Sequence, residues 1–114
     1  CQLVDSTPAV TRRLQEHLRT LRCDHGLVIT ADVLRLLATP PAEPFDVVFL
    51  DPPFRQGLLQ PCVDALVQQR WLAPAAWVYT ESGADEAPLV TPPGWELYRA
   101  KQAGQVSYRL WRAA

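Results

Sequence analysis

Hydrophobic positions along this chain follow two rhythms, one helical and one extended. Val10, Leu14, Leu18 and Leu21 recur at spacings of four and three, the stripe of an amphipathic helix. Arg12, Arg13, Glu16 and Arg19 fill its other face. Ser6-Thr7-Pro8 precedes it and supplies an N-cap candidate with proline at the first helical position. Asp24-His25-Gly26 breaks the pattern, and Leu27 to Thr30 is a short apolar run expected to be a buried strand. Cys1 to Asp5 reads as the middle or end of another strand. Asp32 can cap a short helix carrying Val33, Leu34, Leu36 and Leu37, which Pro40, Pro41 and Pro44 end in a stiff loop.

Phe45 to Leu50 is the clearest strand, almost continuously apolar as central parallel strands are. It runs straight into Asp51-Pro52-Pro53-Phe54. After Gly57, the set Leu58, Leu59, Cys62, Val63, Leu66 and Val67 marks a helix, with Pro61 tolerable only in its first turn. Ala76 to Glu81 is the next predicted strand, and Ser82 to Gly94 a loop. Trp95 to Lys101 and Gln105 to Arg112 form a predicted hairpin around Gly104. Strands alternating with helices and closing on a hairpin argue for an α/β fold, mostly parallel with an antiparallel edge. In such sheets ligands bind outside the carboxyl ends of the strands. Asp5, Asp32 and Asp51 all fall there. No repeat or linker interrupts the pattern, so residues 1–114 are expected to be a single domain.

Composition narrows the choice of function. With 48% hydrophobic and 20% charged residues the chain is ordinary for a globular protein. A net charge of −1 excludes binding of nucleic acid by bulk field, so such contacts must come from local basic patches. The three cysteines, Cys1, Cys23 and Cys62, are too far apart for metal-ligand spacing, and free thiols suit a reducing compartment. His17 and His25 lack partners at metal spacing. No metal is expected. No run approaches a membrane span, and the expected location is cytoplasmic.

The tetrad at the end of the best strand carries the most specific chemistry. An exocyclic amino group on a base is a poor nucleophile, because its lone pair is delocalised into the ring. Acceptors that hold its N–H groups favour the charge developing on nitrogen in the transition state. A carboxylate and the backbone carbonyl beside it can do this. Prolines at the next positions lack N–H groups and fix φ, which stiffens the loop and aims that carbonyl. An aromatic residue then offers a face for an extruded base. The alternative is a rigid turn leaving a strand.

Phe45 to Phe54 looks like motif IV of amino-group methyltransferases that use S-adenosylmethionine. Continued through Arg55-Gln56-Gly57-Leu58-Leu59 and the hairpin Ala103-Gly104-Gln105-Val106-Ser107-Tyr108-Arg109-Leu110, the chain resembles the RsmD-type 16S rRNA guanine-N2 methyltransferases over essentially its whole length. The resemblance implies a Rossmann-like methyltransferase sheet and a 16S rRNA or small-subunit substrate. Asp51 and the carbonyl of Pro52 would hold the guanine amino group, with Pro53 stiffening the turn and Phe54 stacking on the base. Asp5 would meet the ribose hydroxyls of the cofactor, and Ala31 and Asp32 its adenine. A strand-end role for Asp5 and a plain helix cap for Asp32 stay open. Arg55 is the preferred RNA contact, with a structural ion pair equally open.

The family's first strand and Gly-rich loop should precede Cys1. The glycines present, Gly26, Gly57, Gly83, Gly94 and Gly104, form no G-x-G arrangement. The chain therefore reads as the C-terminal part of a class I methyltransferase domain, inactive alone. It is expected to leave strand edges that invite self-association. Arg99, Lys101, Arg109 and Arg112 are candidates for phosphate contacts or a solvated face. Trp77, Trp95 and Trp111 are expected to be packing residues. Glu81, on the presumed active side, is open between a site role and a structural one. An adenine-N6 DNA or RNA methyltransferase shares the tetrad, and a non-catalytic Rossmann-like binding domain is the reading from a different class.

Overall fold

The computed structural model describes residues 1–53 and 56–114. It forms two compact units, Cys1–Leu36 and Leu37–Ala114.

In the first unit, β1 (Gln2–Asp5) and β2 (Leu27–Thr30) pair in parallel, from Gln2 opposite Leu27 to Asp5 opposite Thr30. The crossover is α1 (Pro8–Thr20), which begins on proline and carries His17 and Arg19 in its last turn, where cations complement the helix dipole. Its inward face is Thr11, Leu14 and Leu18. The stripe expected from the sequence is therefore rotated. Val10 is exposed, and Leu21 lies past the last helical residue at 75% exposure. Buried Thr11 takes the place of Val10 because its hydroxyl bonds the carbonyl of Pro8 and the Thr30 hydroxyl, at 3.1 and 2.7 Å. Leu18 packs so closely on Gly26 that a Cβ there would lie 2.8 Å from it. The short helix α2 (Val33–Leu37) follows β2.

In the second unit the strand order is β3-β4-β6-β5, with β3 (Phe45–Leu50), β4 (Leu72–Gly83), β5 (Glu96–Ala103) and β6 (Val106–Arg112). Only β3 and β4 are parallel; β4–β6 and β6–β5 are antiparallel. The single mostly parallel sheet expected from the sequence thus appears as a two-stranded parallel sheet and a four-stranded mixed one. Among the described residues, β1 and β3 each pair on one edge only. Beyond its expected span, β4 is longer by an irregular stretch around Pro74 and Ala75, where the register against β3 shifts. Proline has no N–H to give a ladder.

One face of this sheet packs on α3 (Leu59–Gln68), whose Cys62, Val63 and Leu66 are buried with Leu50, Ala76, Val78 and Trp111. Pro61 is the third residue of α3, within its first turn. Trp111 donates its indole N–H to Thr80 at 3.1 Å, which satisfies two polar groups inside that core. The opposite face is open. Strand β3 was expected to be buried on both sides, yet Val47 and Phe49 are 50% and 73% exposed. Alternation explains this: Val48 and Leu50 turn toward α3, while Val47 and Phe49 turn to the uncovered face. There Phe49 meets Tyr79 and Trp77 meets Tyr98, at ring-centroid distances of 5.7 and 5.0 Å. Gly104, at φ 59°, takes the first position of the two-residue turn between β5 and β6, a place that suits glycine.

Candidate active site

Strand β3 ends at Leu50 because Pro52 and Pro53 bring no N–H groups to continue its ladder. Asp51 is thereby left exposed at the carboxyl end of β3. Parallel pairing sets Leu50 opposite Thr80, so the following residues of the two strands, Asp51 and Glu81, come side by side. Antiparallel pairing on the other edge of β4 sets Glu81 opposite Tyr108. Tyr79, two residues before Glu81 and on the same face, donates its hydroxyl to Glu81 Oε1 at 2.7 Å. The Tyr79 and Tyr108 rings lie 6.5 Å apart.

This cluster alters its own acidity. Asp51 is held above its ordinary value by partial burial of the carboxyl against the sheet end, then by a side-chain hydrogen bond with Glu81 and by that residue's charge. Tyr79 is pushed up to about 12, first by loss of solvent, then by its hydrogen bond to Glu81 and the charges of Glu81, Tyr108 and Asp51. A carboxylate of raised basicity on a proline-stiffened turn, open to solvent on one side, can accept N–H hydrogen bonds and take up a proton. Phe54 and Arg55, the other two residues expected at this turn, lie outside the described residues.

The remaining predicted residues gather at the carboxyl end of β1 and β2. Asp5 and Thr30 are cross-strand partners, and the Ala31 N–H donates to the Asp5 carbonyl at 3.0 Å. Asp5 Oδ1 accepts the Thr7 N–H at 2.8 Å and so turns the chain into α1. Asp32 Oδ1 accepts the N–H groups of Leu34 and Arg35 at 2.9 and 3.3 Å, the bonds of a helix cap on α2. Each carboxylate thus has a structural task on one oxygen. A carboxylate offers about four lone-pair sites, so these bonds leave acceptor capacity for hydroxyl or amine donors.

Tyr79 and Tyr108 were not singled out from the sequence. The alternation Trp77, Tyr79, Glu81 along one face of a strand is the local signal for the first. The second needs the β4–β6 register. Of the basic candidates, Arg112 stands over the Trp77 ring at 4.3 Å and Arg99 over Tyr98 at 5.6 Å, so both have structural partners on the sheet. A surface groove of about 580 Å³ lies away from this cluster, lined by α3 residues and by Val90, Thr91 and Pro92. Gln60 ties it together through two hydrogen bonds with the backbone of Val90. Among the described residues no helix is long and apolar enough to cross a membrane.

Residues 1–112 match the family model described as Conserved hypothetical protein 95. The chain is 37% identical over 110 residues to the ribosomal RNA small subunit methyltransferase D of Escherichia coli, which covers 96% of this chain and 55% of that protein. It is 42% identical over 106 residues to the protein of the same name from Haemophilus influenzae, with 90% and 54% covered. The chain therefore spans about half the length of these curated relatives. Among solved structures, a candidate methyltransferase from Escherichia coli superimposes with a TM-score of 0.92 at 38% identity, over 99% of this chain and 64% of that one.

Proposed function

This chain belongs to the family described as Conserved hypothetical protein 95, and from that membership and the site geometry we propose that it is the C-terminal part of a methyltransferase acting on the exocyclic N2 amino group of a guanine in 16S rRNA. The observation that carries the reading is Asp51-Pro52-Pro53 leaving the carboxyl end of β3 with its carboxyl open to solvent on one side and hydrogen-bonded to Glu81 on the other.

In this reading the Asp51 carboxylate and the Pro52 carbonyl each accept an N–H of the base amine. That orients the nitrogen lone pair and favours the positive charge that grows on nitrogen in the transition state. Asp51 then passes the surplus proton to solvent. Phe54 is the proposed stacking residue and Arg55 the proposed contact to RNA. S-adenosylmethionine, when bound, supplies the electrophilic methyl group. Asp5, with its spare acceptor capacity, would hold the ribose hydroxyls, and Ala31 with Asp32 would meet the adenine. The 114 residues contain no G-x-G loop to cradle the methionine end, so this chain on its own is proposed to be inactive. The proposed setting is the cytoplasm, with the small ribosomal subunit as partner.

The test uses the full-length protein and labelled methyl donor, with small-subunit RNA lacking the modification and with DNA as separate acceptors. Asp51→Ala is expected to lose on the order of 100-fold or more in kcat, the scale of a missing transition-state hydrogen bond, while donor affinity stays within a few fold. Wild-type turnover in that variant overturns the reading. Methylation of adenine in DNA instead of guanine in RNA would favour the adenine-N6 class, which shares the tetrad.

A further inference from the structure

We propose that Glu81, held in place by Tyr79, is a positioning residue that sets the orientation of the Asp51 carboxyl toward the incoming amine; this rests on the methyl-transfer reading above.

The geometry comes from three strands. Pairing of Leu50 with Thr80 brings Asp51 and Glu81 to neighbouring sites on β3 and β4. Glu81 cannot swing freely, because Tyr79 donates to its Oε1 at 2.7 Å. Tyr79 in turn is flanked by Phe49 on β3 and Tyr108 on β6, at centroid distances of 5.7 and 6.5 Å. A half-buried carboxylate placed beside another carboxylate does nothing for stability, since like charges at close range repel. Among the described residues no lysine or arginine forms an ion pair with Glu81. A hydrogen bond between the two carboxyl groups, carried by one proton held between them, by contrast engages part of the Asp51 carboxyl and leaves acceptor capacity for an amine. Partial burial, the hydrogen bond with Glu81 and the charge of Glu81 keep Asp51 a better base than an isolated aspartate.

Among the described residues, the charged and titratable groups around Asp51 are these. From β4 come Glu81 and Tyr79, and from β6 comes Tyr108, with Lys101 its cross-strand partner on β5. Beyond the strand end, Glu86 accepts the Gly83 N–H at 2.8 Å and Asp85 lies against Gly83. Glu81 is the neighbour whose removal changes Asp51 directly.

The experiment compares full-length wild type, Glu81→Gln and Tyr79→Phe by steady-state kinetics across pH, with thermal unfolding of each. Glu81→Gln is expected to lower kcat by about tenfold or more through loss of aim, to leave the KM for the methyl donor unchanged, and to move the acid limb of kcat/KM to lower pH. The direction follows from removing a negative neighbour, which lets Asp51 ionise more readily. Tyr79→Phe, which frees Glu81 without changing charge, should lower kcat less. Carbon-13 NMR of the Asp51 carboxyl in the folded variants supplies a readout independent of turnover, and its titration should fall with Glu81→Gln. If wild type methylates RNA while Glu81→Gln keeps its rate, acid limb and Asp51 titration, the role of Glu81 is overturned. A wild-type protein that transfers no methyl overturns the function instead, and the NMR titration still decides whether Glu81 governs Asp51.

Discussion

Asp51 shows how one residue carries opposite demands from folding and chemistry. Its folded-state acidity is weaker than its ordinary value because of partial burial and Glu81. Folding is therefore helped by Asp51 only while it is protonated in both states, below the usual value of 3.8. That help is lost as pH rises through the higher folded value, above which ionised Asp51 opposes folding. Asp51→Asn should raise stability at pH 7 by roughly 0.5 kcal/mol, the scale of an exposed charge pair. The gain should shrink toward zero as pH falls below about 4, where wild-type Asp51 is already neutral. Thermal unfolding across pH checks this, and a less stable variant at pH 7 would contradict it. The tetrad was legible in the sequence because Asp-Pro-Pro is a local device: its lost N–H groups and fixed φ need no distant partner. The grip of Tyr79 on Glu81 was only half legible. Residues i and i+2 share a strand face, but whether they meet a carboxylate on another strand depends on register.

At the scale of elements, the two faces of β3 and β4 carry different loads. Val63 and Val78 are fully buried between α3 and the sheet, with Leu66 beside them at 2% exposure. Leu66→Ala should cost about 2–5 kcal/mol through lost burial and a residual cavity, measured by denaturant unfolding, whereas Phe49→Ala on the open face should cost far less. Equal losses would show that the open face is covered in solution. Existence and order of the elements followed from periodicity, caps and prolines. Their faces did so less well. Thr11 displaced Val10 from the buried side of α1 because its hydroxyl found Thr30, a partner 19 residues away. Strand β3 looked doubly buried because apolar composition does not say which side a neighbour covers.

Across the molecule, apolar surface and unpaired backbone coincide. Phe49 and Val47 are exposed on β3, and among the described residues β3 pairs with β4 alone. An open strand edge beside exposed apolar side chains is a template for association. The 114-residue chain by itself is accordingly expected to form dimers or larger species at micromolar concentration. Sedimentation velocity tests this, and a strictly monomeric chain, with Phe49→Lys leaving its behaviour unchanged, would refute it.

Local chemistry in the sequence was enough to specify the kind and order of the helices and strands, though not the full span of β4, and to put a carboxylate on a rigid proline turn at a strand end. These outcomes depend on steric and hydrogen-bonding rules that act within a few residues. Only the tertiary structure decided that Glu81 stands beside Asp51, that Tyr108 lies opposite it, and that one sheet face stays open. Those depend on which strands pair and in what register, and pairing is settled by burial and hydrogen bonds between segments about thirty residues apart.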